Sequence, residues 1–218
     1  MPETKFRKIN NLIGWLLFSV ALLTYGLTVE PTASYWDAGE YISTSAKLQV
    51  GHPPGAPFFQ MMGAVFSMFA SNNESIAIAV NFLSVVSSAF VILFLFWSTT
   101  LFLKKISKKN NFTNDTNILL SSSIGALAFT FSDSFWFNAV ETEVYAMATL
   151  ILSILFWLGL KWEEEMNTSR GDRWLLMIAF VIGLSFGVHF MGLLTIPALG
   201  MIYYFKNYKK ITLKGFIY

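Results

Sequence analysis

The sequence contains no cysteine, which excludes disulfides, thiolate metal sites and a cysteine nucleophile together. Charge is scarce as well: Asp, Glu, Lys and Arg make up 13% of the chain, about half the share usual in a soluble domain. The net charge of +2, with basic residues in short clusters rather than along one face, leaves no footprint for nucleic acid. No His and carboxylate spacing matches a catalytic zinc site, and no Gly-rich strand-to-helix turn matches a nucleotide loop. Neither a metal, a cofactor nor a soluble nucleotide donor is expected. What is present is apolar: 55% hydrophobic and 17% aromatic residues, with a mean hydropathy of +0.55. The chain reads as an all-α, polytopic integral membrane protein.

The first apolar run, Leu12 to Val29, is 18 residues long, nearly enough for a helix to cross a bilayer core of roughly 30 Å. Its basic start (Lys5, Arg7, Lys8) lacks a small-residue cleavage site, so it reads as a retained anchor. Further runs cover Ser75 to Leu103, Ile118 to Phe137, Val144 to Leu160 and Trp174 to Phe205, with a shorter one at Ala56 to Ala70. This pattern predicts about six transmembrane segments plus juxtamembrane helices on the outer surface, in one membrane domain over residues 1–218. A cytoplasmic start at 1–10 leads to a first span at 11–30, an outer loop at 31–73, further spans over 74–205 and a cytoplasmic end at 206–218. The closing KNYKKITLKGFIY, with a new segment beginning at Ile211, reads as the front part of a longer protein.

Orientation follows from where Lys and Arg collect. Lys5, Arg7 and Lys8 place the N-terminus in the cytoplasm, and Lys104, Lys105, Lys108 and Lys109 require the same side. One full crossing therefore lies between Val29 and Lys104. The 29-residue run from Ser75 is the better spanner, so the 15 residues Ala56 to Ala70 are expected to lie on the outer surface. The next crossings bring Asp133, Glu141 and Glu143 out on the same face as Asp37 and His52. The last run has 32 residues, roughly 48 Å as one helix and short of two crossings. With Lys206, Lys209 and Lys210 drawn inside, it becomes two short helices meeting near GVHFMG, with His189 at the joint and a cavity beside it. One long tilted helix is the competing reading.

The densest chemistry lies in Tyr35 to Phe58, YWDAGEYISTSAKLQVGHPPGAPF. Asp37 and Glu40 are three apart and share a helix face. They suit either a capping box, with Ser34 and Asp37 as a second register, or a base or ligand tuned by partial burial. His52-Pro53-Pro54-Gly55 is a rigid corner that ends the helix, with Gly51 suited to its C-terminal cap; His52 is either part of that corner or part of the site. Glu141 and Glu143 are two apart, so from a helix one of them faces solvent. His189, in an apolar stretch, is by default a functional residue, with a core His bonded to a carbonyl as the plain alternative.

WDAGEY at Trp36 to Tyr41, HPPG at His52 to Gly55, ETEVYA at Glu141 to Ala146 and GLSFGVH at Gly183 to His189 together resemble a known family. It comprises the polyprenyl-phosphate-sugar-dependent glycosyltransferases of the GT-C fold, in particular the protein O-mannosyltransferases. The set is most similar to a bacterial family related to the transmembrane-protein-260 mannosyltransferases. The resemblance implies transfer of a sugar, mannose, from a polyprenyl-phosphate donor to a Ser or Thr hydroxyl of a protein or peptide. It also implies an inner (cytoplasmic) membrane location with the site on the periplasmic or outer side. By position Asp37 inherits the catalytic-base role, whereas Glu40 does not map cleanly, because the usual adjacent Asp-Glu pair is here Asp37-Ala38-Gly39-Glu40. His189 would meet the lipid phosphate, and Glu40, His52, Glu141 and Glu143 would bind substrate. A flippase or transporter for lipid-linked sugars remains the alternative, against which stands the lack of a second copy of WDAGE or HPPG.

Overall fold

The computed structural model describes residues 2–110 and 113–208 together with Thr212 and Gly215. The side chain of Lys109, residues Lys209 and Lys210 and, apart from Thr212 and Gly215, the segment expected from Ile211 lie outside the described residues. Among the described residues the regular structure is all helical, with no strand. Its helices are α1 (Glu3–Leu27), α2 (Ala38–Lys47), α3 (Pro57–Ser67), α4 (Ile76–Asn110), α5 (Asp115–Thr130), α6 (Asp133–Ala139), α7 (Val144–Glu165), α8 (Gly171–Ser185) and α9 (Thr195–Asn207). Short 3₁₀ turns precede α4 (Asn73–Ser75) and α9 (Phe190–Leu194).

Starts are set by local chemistry. Pro57 opens α3, where its missing N–H costs nothing. Asn72 and Ser75 form a reciprocal capping box ahead of α4. Asn114 caps α5 by accepting from the N–H of Asn117, 2.9 Å away.

Of the six expected segments, α1, α4 and α7 are long and apolar enough to cross a membrane. The run Ile118 to Phe137, expected as one crossing, is broken into α5 and α6, which bend by 66°. The cause is tertiary. The Tyr25 hydroxyl donates to the Thr130 carbonyl (2.8 Å) where α5 stops, and Trp136 Nε1 donates to Thr28 Oγ1 (2.9 Å) from α6, so both short helices are tied to the end of α1. The run Trp174 to Phe205 divides as expected, into α8 and α9 of 15 and 13 residues, each only about 20 Å long.

α4 lies at the centre. One face packs Val85, Ala89, Ile92 and Phe96 against α1, α5 and α6, and Leu83 joins a second core with α2, α3, α7 and α8. Buried Ser84, Ser87, Ser88 and Ser98 on α4 are small enough for close helix approach, as usual between membrane helices. α3, at 11 residues, is too short to cross and packs beside α2 and α4.

Ion pairs gather one set of chain points at one end of the bundle. Lys104 of α4 meets Glu3 of α1 (2.7 Å), Lys105 of α4 meets Glu163 of α7, and Lys206 of α9 meets the same Glu163 (2.8 Å). α1 therefore leaves this end and α4 returns to it, with α2 and α3 at the turn between. This is the arrangement that the lysine clusters require.

Candidate active site

At the opposite end, α2 carries Asp37 at its N-cap and Glu40 one turn in, and the corner His52 to Gly55 leads into α3. The capping box does not form: Asp37 sits at φ −87°, ψ 1°, and its side chain makes no capping hydrogen bond among the described residues. Other partners compete. The Asp37 N–H donates to Glu143 Oε1 (3.2 Å). Ser34, from the second register, donates its hydroxyl to Glu141 Oε2 (2.5 Å).

Glu40 instead reaches the corner. It accepts from the His52 N–H at Oε1 (2.5 Å) and from His52 Nδ1 at Oε2 (3.0 Å). Gly51 makes this possible, since a Cβ there would stand 3.0 Å from Glu40 Oε1 and 2.9 Å from Gln60 Nε2. The expected C-terminal cap at Gly51 is thus elsewhere: α2 ends at Lys47, and Leu48 takes the left-handed position at φ 49°, ψ 49°. The corner closes with the Gly55 N–H donating to the His52 carbonyl, 2.8 Å.

With Nδ1 donating to Glu40, Nε2 of His52 stands 3.8 Å from Asp37 Oδ2. The hydrogen bond to Glu40, then its charge, raise the His52 pKa, and the Asp37 and Glu143 carboxylates add to this. The same His52 donors lower that of Glu40. The His52 imidazole therefore sits between two carboxylates, with Glu40 hydrogen-bonded to it and Asp37 close by. Asp37 is 53% exposed in its side chain, flanked by Tyr35 and Trp36 at 82% and 87%. Trp36 has φ 60°, an uncommon conformation for a bulky residue that holds its indole out beside Asp37.

Glu141 and Glu143 correct the expectation that one faces solvent: they are 3% and 4% exposed. The helical spacing argument does not apply, because both lie in an extended turn before α7, where the Glu143 N–H donates to the Glu141 carbonyl (3.0 Å). Burial raises the pKa of Glu141, against the Ser34 hydrogen bond. Burial raises that of Glu143 to about 7, reinforced by the nearby Asp37 and Glu141 carboxylates and opposed by the Asp37 N–H. Tyr41, beneath them, is pushed up to about 12 by burial and then by Glu143, Asp37 and Glu40.

The Glu143 shift fixes a pH dependence. Below about pH 4.5 the carboxyl is protonated in both folded and unfolded chains. As pH rises from there to about 7 the unfolded chain alone releases the proton, so wild-type stability falls, and above about 7 the loss is complete. Glu143→Gln, neutral throughout, is expected to stay close to the wild type at pH 4.5 and to exceed it at pH 8 by about 3 kcal/mol. Melting curves in detergent across this range check it.

His189 ends the turn after α8. Its Nδ1 accepts from the Met191 N–H (3.2 Å), which leaves the proton on Nε2 and that nitrogen as a donor. Tyr145, at the start of α7, lies beside it with ring centroids 5.7 Å apart, and Tyr145 also adds to the field on Tyr41. The break is fastened to the corner region: the N–H groups of Phe58 and Phe59 donate to the Gly187 carbonyl (2.7 and 3.1 Å). A Cβ at Gly187 would lie 2.7 Å from that of Phe58.

Sequence reasoning missed Asn81, fully buried on α4. Its Nδ2 donates to the carbonyls of Glu30 (2.6 Å) and Thr32 (3.0 Å), and its Oδ1 accepts from the Thr142 hydroxyl. It thereby joins the loop before Ser34 to the turn holding Glu141 and Glu143. An amide in an otherwise apolar membrane-length run was the available signal.

Asp37, Glu40 and His52 offer ligand atoms within 4.8 Å of one another, so these are the residues able to reach a cation. Two of the three, Glu40 and His52, already hold each other through hydrogen bonds.

Residues 37–212 match the family model described as Protein O-mannosyl-transferase TMEM260 N-terminal domain. The chain is 30% identical over 160 residues to a Dictyostelium discoideum relative named Protein O-mannosyl-transferase tmem260, covering 73% of this chain and 18% of that protein. It is 26% identical over 170 residues to the Mus musculus Protein O-mannosyl-transferase TMEM260, covering 78% and 22%. The chain thus spans about a fifth of the length of these relatives. No solved structure matches it. The family match begins at Asp37 and takes in the His52 corner, the Glu141–Glu143 turn and the break at His189: the chain belongs to the family of the TMEM260 protein O-mannosyl-transferase N-terminal domain.

Proposed function

We propose that this chain forms the catalytic end of a GT-C type protein O-mannosyltransferase. It transfers mannose from a polyprenyl-phosphate carrier to a Ser or Thr hydroxyl at the outer face of the membrane. The observation that carries the reading is the half-exposed Asp37 carboxylate, beside a His52 that Glu40 orients. The relatives' names supply the reaction class, and the lysine clusters at the far end of the bundle support the orientation.

In a single inverting displacement the acceptor oxygen bonds to the anomeric carbon as the bond from that carbon to the phosphate oxygen breaks. The hydroxyl proton passes to Asp37, and the leaving phosphate keeps the electron pair. General-base help of this kind contributes roughly 10²- to 10⁴-fold in rate. His52, with Nε2 3.8 Å from Asp37 Oδ2, borders the position of the acceptor hydroxyl. The Nε2–H of His189 donates to the phosphate oxygen where charge develops. Glu141 and Glu143 shape the acceptor side. No metal enters this scheme, and the rate is expected to survive EDTA.

The test uses the full-length protein in liposomes with radiolabelled polyprenyl-phosphate mannose and a Ser/Thr-containing peptide. Label on the peptide supports the reading. Label that stays on the lipid and merely changes leaflet, or that appears on a lipid acceptor, overturns it. A second expectation concerns His189→Ala: the donor KM rises severalfold or more while the peptide KM changes little. An equal rise in both would remove His189 from the phosphate.

A further inference from the structure

At the lysine-rich end of the bundle, remote from Asp37, α1, α4, α7 and α9 enclose a cavity of about 940 Å³. Its mouth carries Arg7, Lys104, Lys105, Lys108, Lys161 and Lys206, six cations against the three carboxylates of Glu3, Glu163 and Glu164. The carboxylates are already committed. Glu3 holds Lys104 (2.7 Å), Glu164 holds Lys161 (2.9 Å), and Glu163 serves both Lys105 and Lys206. Arg7 and Lys108, both exposed, have no carboxylate partner among the described residues. The mouth therefore holds positive charge that these ion pairs leave uncancelled.

The wall behind this mouth is of another kind. Phe6, Trp97, Leu101 and Trp157 line it, with the two indoles 6.2 Å apart and tilted, and Lys104 lies 3.8 Å above the Phe6 ring. Charge outside and aromatic surface within, at the end of apolar helices, match a molecule with an anionic head and an apolar neck. Free phosphate would use the cations and leave the indoles unused. Basic pockets between membrane helices take anionic lipid head groups for this reason.

We infer that this cavity is a binding site for the head group of an anionic phospholipid. The phosphate faces Arg7 and Lys108, and the glycerol and first acyl carbons lie on Trp97 and Trp157. The site is separate from the sugar-transfer chemistry and does not depend on it.

Calorimetry on the full-length protein in neutral detergent tests this, with short-chain phosphatidylglycerol, short-chain phosphatidylcholine and inorganic phosphate as probes. Saturable phosphatidylglycerol binding is expected, with phosphatidylcholine roughly tenfold weaker or more. The double substitution Arg7→Gln with Lys108→Gln is expected to weaken phosphatidylglycerol by about tenfold or more, since each cation near an anionic lipid contributes a substantial part of the attraction. Its lipid-free melting temperature should not move, because both side chains are exposed. Arg7→Lys with Lys108→Arg, which keeps both charges, should bind within a few-fold of wild type. Equal affinity for the two lipids, absence of saturable binding, or a double Gln variant that binds as the wild type overturns the site. Inorganic phosphate displacing phosphatidylglycerol at equal concentration would overturn the lipid assignment, leaving a simple anion site.

Discussion

Asp37→Asn is expected to lower sugar transfer by roughly 10²- to 10⁴-fold while leaving the melting temperature and expression of the protein unchanged. The two halves of this result rest on different observations. The carboxylate makes no capping hydrogen bond among the described residues, and its backbone N–H, which Glu143 holds, survives the substitution. The amide has the shape of the acid and fits the same half-exposed position, but it cannot take a proton from the acceptor hydroxyl. Transfer at near-normal rate in a well-folded variant would remove Asp37 as the base.

Asn81→Ala is expected to destabilise the protein by about 3 kcal/mol, because three hydrogen bonds disappear and buried partners are left unmatched. Those partners are the carbonyls of Glu30 and Thr32 and the hydroxyl of Thr142. Transfer should fall too, since the loop leading to Ser34 and the turn holding Glu141 lose their common anchor. The double variant with Thr142→Val should cost less than the sum of the two single changes, as the unpaired hydroxyl goes with it. Thermal melts of the four proteins in detergent measure the coupling, and simple additivity would mean that Asn81 and Thr142 do not act together.

The long helices were legible because membrane-length apolar runs leave a chain few choices. That is why α1, α4 and α7 match the sequence. The split of the last run was also legible: 32 residues between a charged loop and terminal lysines are too few for two crossings, so a break near His189 follows from length. The bend between α5 and α6 was only hinted at by the polar Ser132-Asp133-Ser134 inside the run, since its angle depends on Tyr25 and Trp136, which bond it to a distant helix end. Local spacing misled at Glu141 and Glu143, where helical geometry was applied to a segment that is extended. It also misled at Asp37 and Glu40, where a favourable capping pattern lost to longer-range partners. The juxtaposition of Asp37, Glu40 and His52 needed the corner at Pro53 and Pro54 to be placed, though their nearness in sequence hinted at it.

The carbonyl of Gly187 ties together two places that a bisubstrate reaction would keep apart. By accepting from Phe58 and Phe59, it makes the tip of the α8–α9 hairpin and the segment behind the His52 corner a single mechanical piece. A lipid phosphate that displaced the hairpin tip would act through this joint on the corner that carries the imidazole beside Asp37. Thermodynamic linkage makes the effect mutual: the carrier lipid would tighten its own co-substrate, and initial-rate plots would show synergy between the two. Loosening the joint would then leave each substrate able to bind while abolishing their cooperation.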